Sequence, residues 1–170
     1  MKHIIRTRKT AIIVLAVVII AFSGVFIFSR FFLQRINDED LPKIVRLALE
    51  RAVVDREIPG YGLLIRDNES IVLSTENIDS KLIPKLHELN FTLLSREEIQ
   101  EKADREGDFF YLRFNEMKIE DFRVLVSLSN TWVVSKDRKG GYLAGGGFKI
   151  EYTKDFFGGL VSKVLTFWVS

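Results

Sequence analysis

The 170-residue chain has no cysteine, which removes disulfide cross-links, thiolate nucleophiles and sulfur-ligated zinc from the chemistry open to it. Histidine is nearly as scarce. Of the two, His3 lies in the N-terminal tail, so a folded domain could draw only on His87, and a multi-histidine metal site cannot be assembled from one member. With Lys85 and Glu88 nearby, His87 reads as a surface residue. No nucleophile-elbow sequence surrounds any serine, and Gly145-Gly146-Gly147 lacks the Lys-Ser/Thr ending of a phosphate-binding loop. Asp104, Glu106, Asp108 and the pair Glu120-Asp121 match no calcium-loop spacing and read as solvated turns. No cofactor is implied. Low-complexity tracts and internal repeats are also lacking, so disorder and solenoid architectures are set aside.

A surplus of positive charge is missing too, although the formal total of +2 hides how it is distributed. Lys2, Arg6, Arg8 and Lys9 precede any acid, and the remainder of the chain carries a formal −2. A near-neutral domain with interspersed signs lacks the electrostatic footprint of a nucleic-acid binder.

What the chain does have is an uncharged run of twenty residues, 10–29, between Lys9 and Arg30. As a helix it would be about 30 Å long, the thickness of a hydrocarbon core. Lipid leaves such a segment no partners for its backbone except its own, so a helix is the expected form. The excess of Lys and Arg ahead of the run predicts a cytoplasmic N-terminus. A secretory signal cut after Ala21-Phe22-Ser23 is the competing expectation, but the apolar run continues well past that point. The expected organisation is a cytoplasmic tail at 1–10, a transmembrane helix at 11–29, a juxtamembrane linker at 30–39 and an extracytoplasmic domain at 40–170. The lipid bilayer is then one partner.

Within the domain, Asp40 is placed to cap a helix carrying Pro42 in its first turn. Leu41, Ile44, Val45, Ala48, Ala52 and Val53 form its apolar stripe, and Pro59-Gly60 is the expected stop. Arg46 with Glu50, and Arg51 with Asp55, are the expected ion pairs of its solvated face. The segment YGLLIRDNESIVLST reads as a hairpin turning at Asp67-Asn68-Glu69-Ser70. Ser95 and Glu98 form a capping box for a short helix ending at Gly107, supported by Glu98-Lys102 and Glu101-Arg105 pairs.

From Phe109 the apolar period changes to two. Phe110, Leu112 and Phe114 mark one strand, and Phe122, Val124, Val126 and Leu128 a second. Phe148, Ile150 and Tyr152 mark a third, and LVSKVLTFWV closes the chain as a fourth. The three glycines at 145–147 suit a bulge or bend. The predicted class is α+β, with a long amphipathic helix packed on a curved antiparallel sheet. Tyr111, Trp132, Tyr142 and Trp168 are the candidates for a ligand or partner surface.

This order of elements resembles the cone-shaped folds of the nuclear-transport-factor-2-like (NTF2-like) and cystatin-like superfamilies, on architecture and without a shared motif. The layout of short tail, single span and outer domain is similar to that of inner-membrane assembly components of bacterial type IV secretion systems. That resemblance implies scaffolding through contacts with envelope proteins. The alternative expectation is a small hydrolase or isomerase using an Asp or Glu in the mouth of the cone.

Overall fold

A computed structural model of the chain describes residues 18–24, 28, 34–64, 70–85, 90–138 and 145–169. The fold is α+β, built on one six-stranded mixed sheet. Its larger part is an antiparallel meander of β3 (Phe109–Glu120), β4 (Arg123–Val133), β5 (Gly146–Lys154) and β6 (Leu160–Val169). Two four-residue strands, β1 (Ile71–Ser74) and β2 (Phe91–Leu94), extend it beyond β3, giving the order β2-β1-β3-β4-β5-β6.

The period-two pattern dictates which side of the meander is covered. Phe110, Leu112, Phe114, Val124, Val126, Leu128, Phe148, Ile150 and Tyr152 are all buried in one cluster. The helix α1 (Leu41–Leu49) buries Leu41, Ile44, Val45, Ala48 and Leu49 against them, and a π turn at Glu50–Val54 adds Ala52 and Val53. Each large apolar side chain buried this completely contributes roughly 1.5–3 kcal/mol. The second helix, α2 (Arg96–Glu106), lies on the opposite face, where Ile99 and Ala103 pack with Val72, Tyr111 and Val133. Its capping box forms in full: Ser95 Oγ accepts from the Glu98 amide at 3.2 Å and Glu98 Oε2 from the Ser95 amide at 2.7 Å.

Several local expectations are corrected. The sheet is mixed, because β1 runs parallel to both β2 and β3. No hairpin precedes β1 in the described residues: Tyr61–Leu63 is a 3-10 turn behind Gly60, whose φ of 72° is left-handed, and residues 65–69 lie outside the described set. Helical backbone ends at Val54, and Arg56 takes φ 58°, so α1 stops before Pro59-Gly60. Arg46 pairs with Glu50 at 2.7 Å as expected, but Arg51 pairs with Glu57 in place of Asp55, beyond the π turn that breaks the four-residue spacing. On α2 the pairs are Lys102-Glu106 and Arg105-Glu106, since Glu98 is committed to the cap.

The glycines of β5 keep regular register. Their reason is close approach: a Cβ at Gly146 would lie 2.6 Å from Pro59 Cβ, and one at Gly147 would lie 2.4 Å from the Trp168 ring. The register shifts fall elsewhere, between Phe114 and Glu116 in β3 and opposite Lys149/Ile150, where β6 steps from Val164 to Thr166. Such bulges bend a strand and increase its twist.

Among the described residues no helix is long and apolar enough to cross a membrane. Of the predicted span, residues 11–17, 25–27 and 29 lie outside the described set. Residues 18–24 are helical, and Val18, Ile19, Ile20 and Phe22 are exposed.

Candidate functional site

The turns β3–β4 and β5–β6 lie at one end of the sheet, the end at which α1 begins. There the chain arriving from the N-terminus is fastened. Ile36, in the predicted linker, is buried in the main core, and its amide donates to the Asp121 carbonyl at 2.9 Å. Arg35 forms an ion pair with Asp121 at 3.1 Å.

The centre of this junction is a buried ion pair. Lys154 Nζ lies 2.6 Å from Asp40 Oδ2, with side-chain exposures of 10% and 8%, and also donates to the Arg35 carbonyl at 3.1 Å. Asp40 stands at the N-cap of α1 without capping it through its side chain. Its carboxylate instead accepts from the Asn37 amide at 3.0 Å and faces Lys154, which corrects the expected role. Burial alone would raise the proton affinity of Asp40, but the Lys154 ammonium, the Asn37 amide and the Lys43 charge outweigh it and hold the carboxyl below its usual value.

The β5–β6 turn is built around Asp155. Its Oδ1 accepts from the amides of Phe157 and Gly159, both at 2.8 Å, and Gly158 turns the chain with φ 83°. With the carboxylate folded inward, Phe156 and Phe157 point outward, edge to face at 5.3 Å, and Phe157 is 83% exposed. Across the end, Phe122 in the β3–β4 turn and Ile119 beside it are also exposed. Glu120, between Lys118 and Arg123, is held down to about 2 by hydrogen bonds from first Arg123 and then Lys118.

The three described aromatic candidates do not converge. Tyr111 is buried under α2 on one face, while Trp132 packs with Phe110 at 4.7 Å beside the core on the other. Trp168 lies over Gly147 on the Tyr111 face, in the adjacent row but three strands away, about 14 Å across the sheet. Tyr142 and His87 lie outside the described residues. Of the acidic candidates, Asp104 pairs with Lys136 at 2.8 Å, Glu106 with Lys102 and Arg105, and Asp108 with Arg138. Lys136 and Gln100 hold Asp104 down to about 2. Among the described residues no group of three or more His, Cys, Asp or Glu is arranged to hold a metal ion.

Acid–base chemistry would call for a carboxyl group with raised proton affinity. Asp40, Asp104, Glu106 and Glu120 are all displaced downward by cations, the signature of ion pairing. Tyr152, buried beneath α1, has its phenol pushed up by burial.

At the far edge, β6 presents ten residues with one charge, Lys163, and exposes Val161, Leu165, Phe167 and Val169. Phe167 makes an edge contact with Phe148 at 6.2 Å and still remains half exposed. Neither this edge nor the junction was found by the sequence reading. Two consecutive phenylalanines inside a turn otherwise made of Lys, Asp and Gly were the available signal. No family model, curated protein or solved structure matches the chain.

Proposed function

We propose that the chain is a single-pass membrane protein, N-terminus cytoplasmic, whose extracytoplasmic domain is an assembly module that binds envelope proteins along β6. The observation that carries the binding role is the exposed edge. A ten-residue edge strand with four exposed apolar side chains, whose outer ladder positions have no partner strand among the described residues, is a template for an added strand, and only Lys163 blunts it. The uncharged run 10–29 and the exposed apolar helix at 18–24 support the anchor. The packing of α1 across the meander supports kinship with the NTF2-like and cystatin-like cones, while the parallel β1–β2 extension and α2 on the opposite face depart from them.

A photo-crosslinker in place of Phe167 in intact cells, followed by mass spectrometry, tests the binding role. Specific adducts to envelope proteins are expected at Phe167 and not at Asp137, whose neighbours Lys136 and Arg138 pair with Asp104 and Asp108. Equal labelling at both positions would overturn it. The anchor is tested separately by a tag after Ser170, which must be inaccessible from the cytosol.

A further inference from the structure

We infer that the β3–β4 and β5–β6 turns form a second lipid contact, resting Ile119, Phe122, Phe156 and Phe157 in the interface of the bilayer that holds the N-terminal run. The inference rests on the anchor reading above and adds a fixed orientation for the domain. Three observations carry it.

The first is position. These side chains stand at the one end of the sheet where the arriving chain is fastened, through Ile36 to Asp121 and through Lys154 to Asp40 and Arg35. Arg35 lies only six positions after Ser29, the last of the uncharged run. Six residues span at most about 20 Å even when fully extended. The fastening therefore keeps this end of the domain against the membrane surface.

The second is how the phenylalanines are presented. Asp155 spends its carboxylate on the turn's own amides, so the turn projects two adjoining aromatic rings while its acid faces inward. Phe157, at 83% exposed, is the most exposed of the large apolar side chains described. Aromatic rings are enriched at the depth where headgroups meet acyl chains.

The third is charge. Arg35, Lys118 and Arg123 ring the tips, and the acids among them are spoken for: Asp121 by Arg35, and Glu120 by Lys118 and Arg123. Asp38 and Glu39 remain exposed at the rim, so the contact is apolar in origin and does not call for anionic lipid.

The absence of native cysteine makes the test direct. The full chain, carrying a single fluorophore at Phe157→Cys, Ile20→Cys or Asp137→Cys, is reconstituted in phosphatidylcholine vesicles containing both lipids nitroxide-labelled near the top of the acyl chain and lipids labelled near its end. Strong quenching at positions 157 and 20, with little at 137, is the expected result. Quenching at 20 without quenching at 157 would overturn the lipid contact and leave the anchor standing. No quenching at 20 would overturn the anchor and, with it, this contact. A label at Ile119→Cys should lose its quenching when Phe156→Ser and Phe157→Ser are added, and retention of full quenching there would also count against the contact.

Discussion

Replacing Lys154 by Met removes the charge that faces Asp40 while keeping most of the side-chain volume. Asp40 is then a carboxylate in a site with about a tenth of its side chain exposed, retaining the Asn37 amide at 3.0 Å and the charge of Lys43. Breaking a buried pair from one side costs about 3–5 kcal/mol, because the surviving charge stays desolvated. The remaining amide argues for the lower end, about 3 kcal/mol, which for a chain of this size lowers Tm by about 6–12 °C. The Arg35 carbonyl loses its donor as well, adding to the loss.

The pH dependence gives a second, independent sign. In the native chain the folded carboxyl lies below its unfolded value of 3.8, so its contribution is complete above that value and is lost as pH falls through the lowered one. In Lys154→Met the downward pull of the ammonium is lost and the folded carboxyl moves upward from its native position. The deficit of the variant should therefore shrink as pH falls through the carboxylate range. Adding Asp40→Asn, which removes the stranded charge, should recover most of the stability. Thermal unfolding of the full chain in detergent micelles, followed by the fluorescence of Trp132 and Trp168, reads all of these. A Lys154→Met chain within about 1 kcal/mol of the original, or a double variant no better than the single, would refute the reasoning.

Three further outcomes are expected. Ser95→Ala removes one half of the capping box and should cost about 1 kcal/mol, seen as faster amide exchange in the first turn of α2. Gly147→Ala places a Cβ against the Trp168 ring and the Leu128 carbonyl, so a loss of about 1–3 kcal/mol with a shift in tryptophan emission is expected. Gly62→Ala, which meets nothing within 4 Å, should stay within about 0.5 kcal/mol by the same unfolding assay.

The contrast between what was legible in the sequence and what was not follows the range of the interactions. The meander could be read because alternation is local: Phe110-Leu112-Phe114 and Phe148-Ile150-Tyr152 each declare a buried face within five residues. The cap at Ser95 is equally local. The segment Tyr61 to Leu64 misled because a short apolar run without alternation fits a strand or a turn alike, and the left-handed Gly60 decides for the turn. The parallel docking of β1 on β3 depends on a crossover that no short pattern encodes, and FTLL at 91–94 offered too few residues to show a period. The junction was invisible for the same reason. Asp40 read as a cap because capping is a neighbour's business, whereas its actual partner, Lys154, comes from the opposite end of the chain. The aromatic candidates have only residue type in common, and the sheet distributes the three described ones over two faces.

The fastening of Arg35 by Lys154 spans 119 positions, and that number has a consequence for biogenesis. Arg35 is synthesised long before the lysine that locks it, which is the last residue of β5. Until it emerges, α1 has its apolar stripe ready and no finished sheet to receive it. A chain truncated before β5 would leave the apolar stripe of α1 without Phe148, Ile150 and Tyr152 to cover it, so the late strands finish a core that the early helix begins.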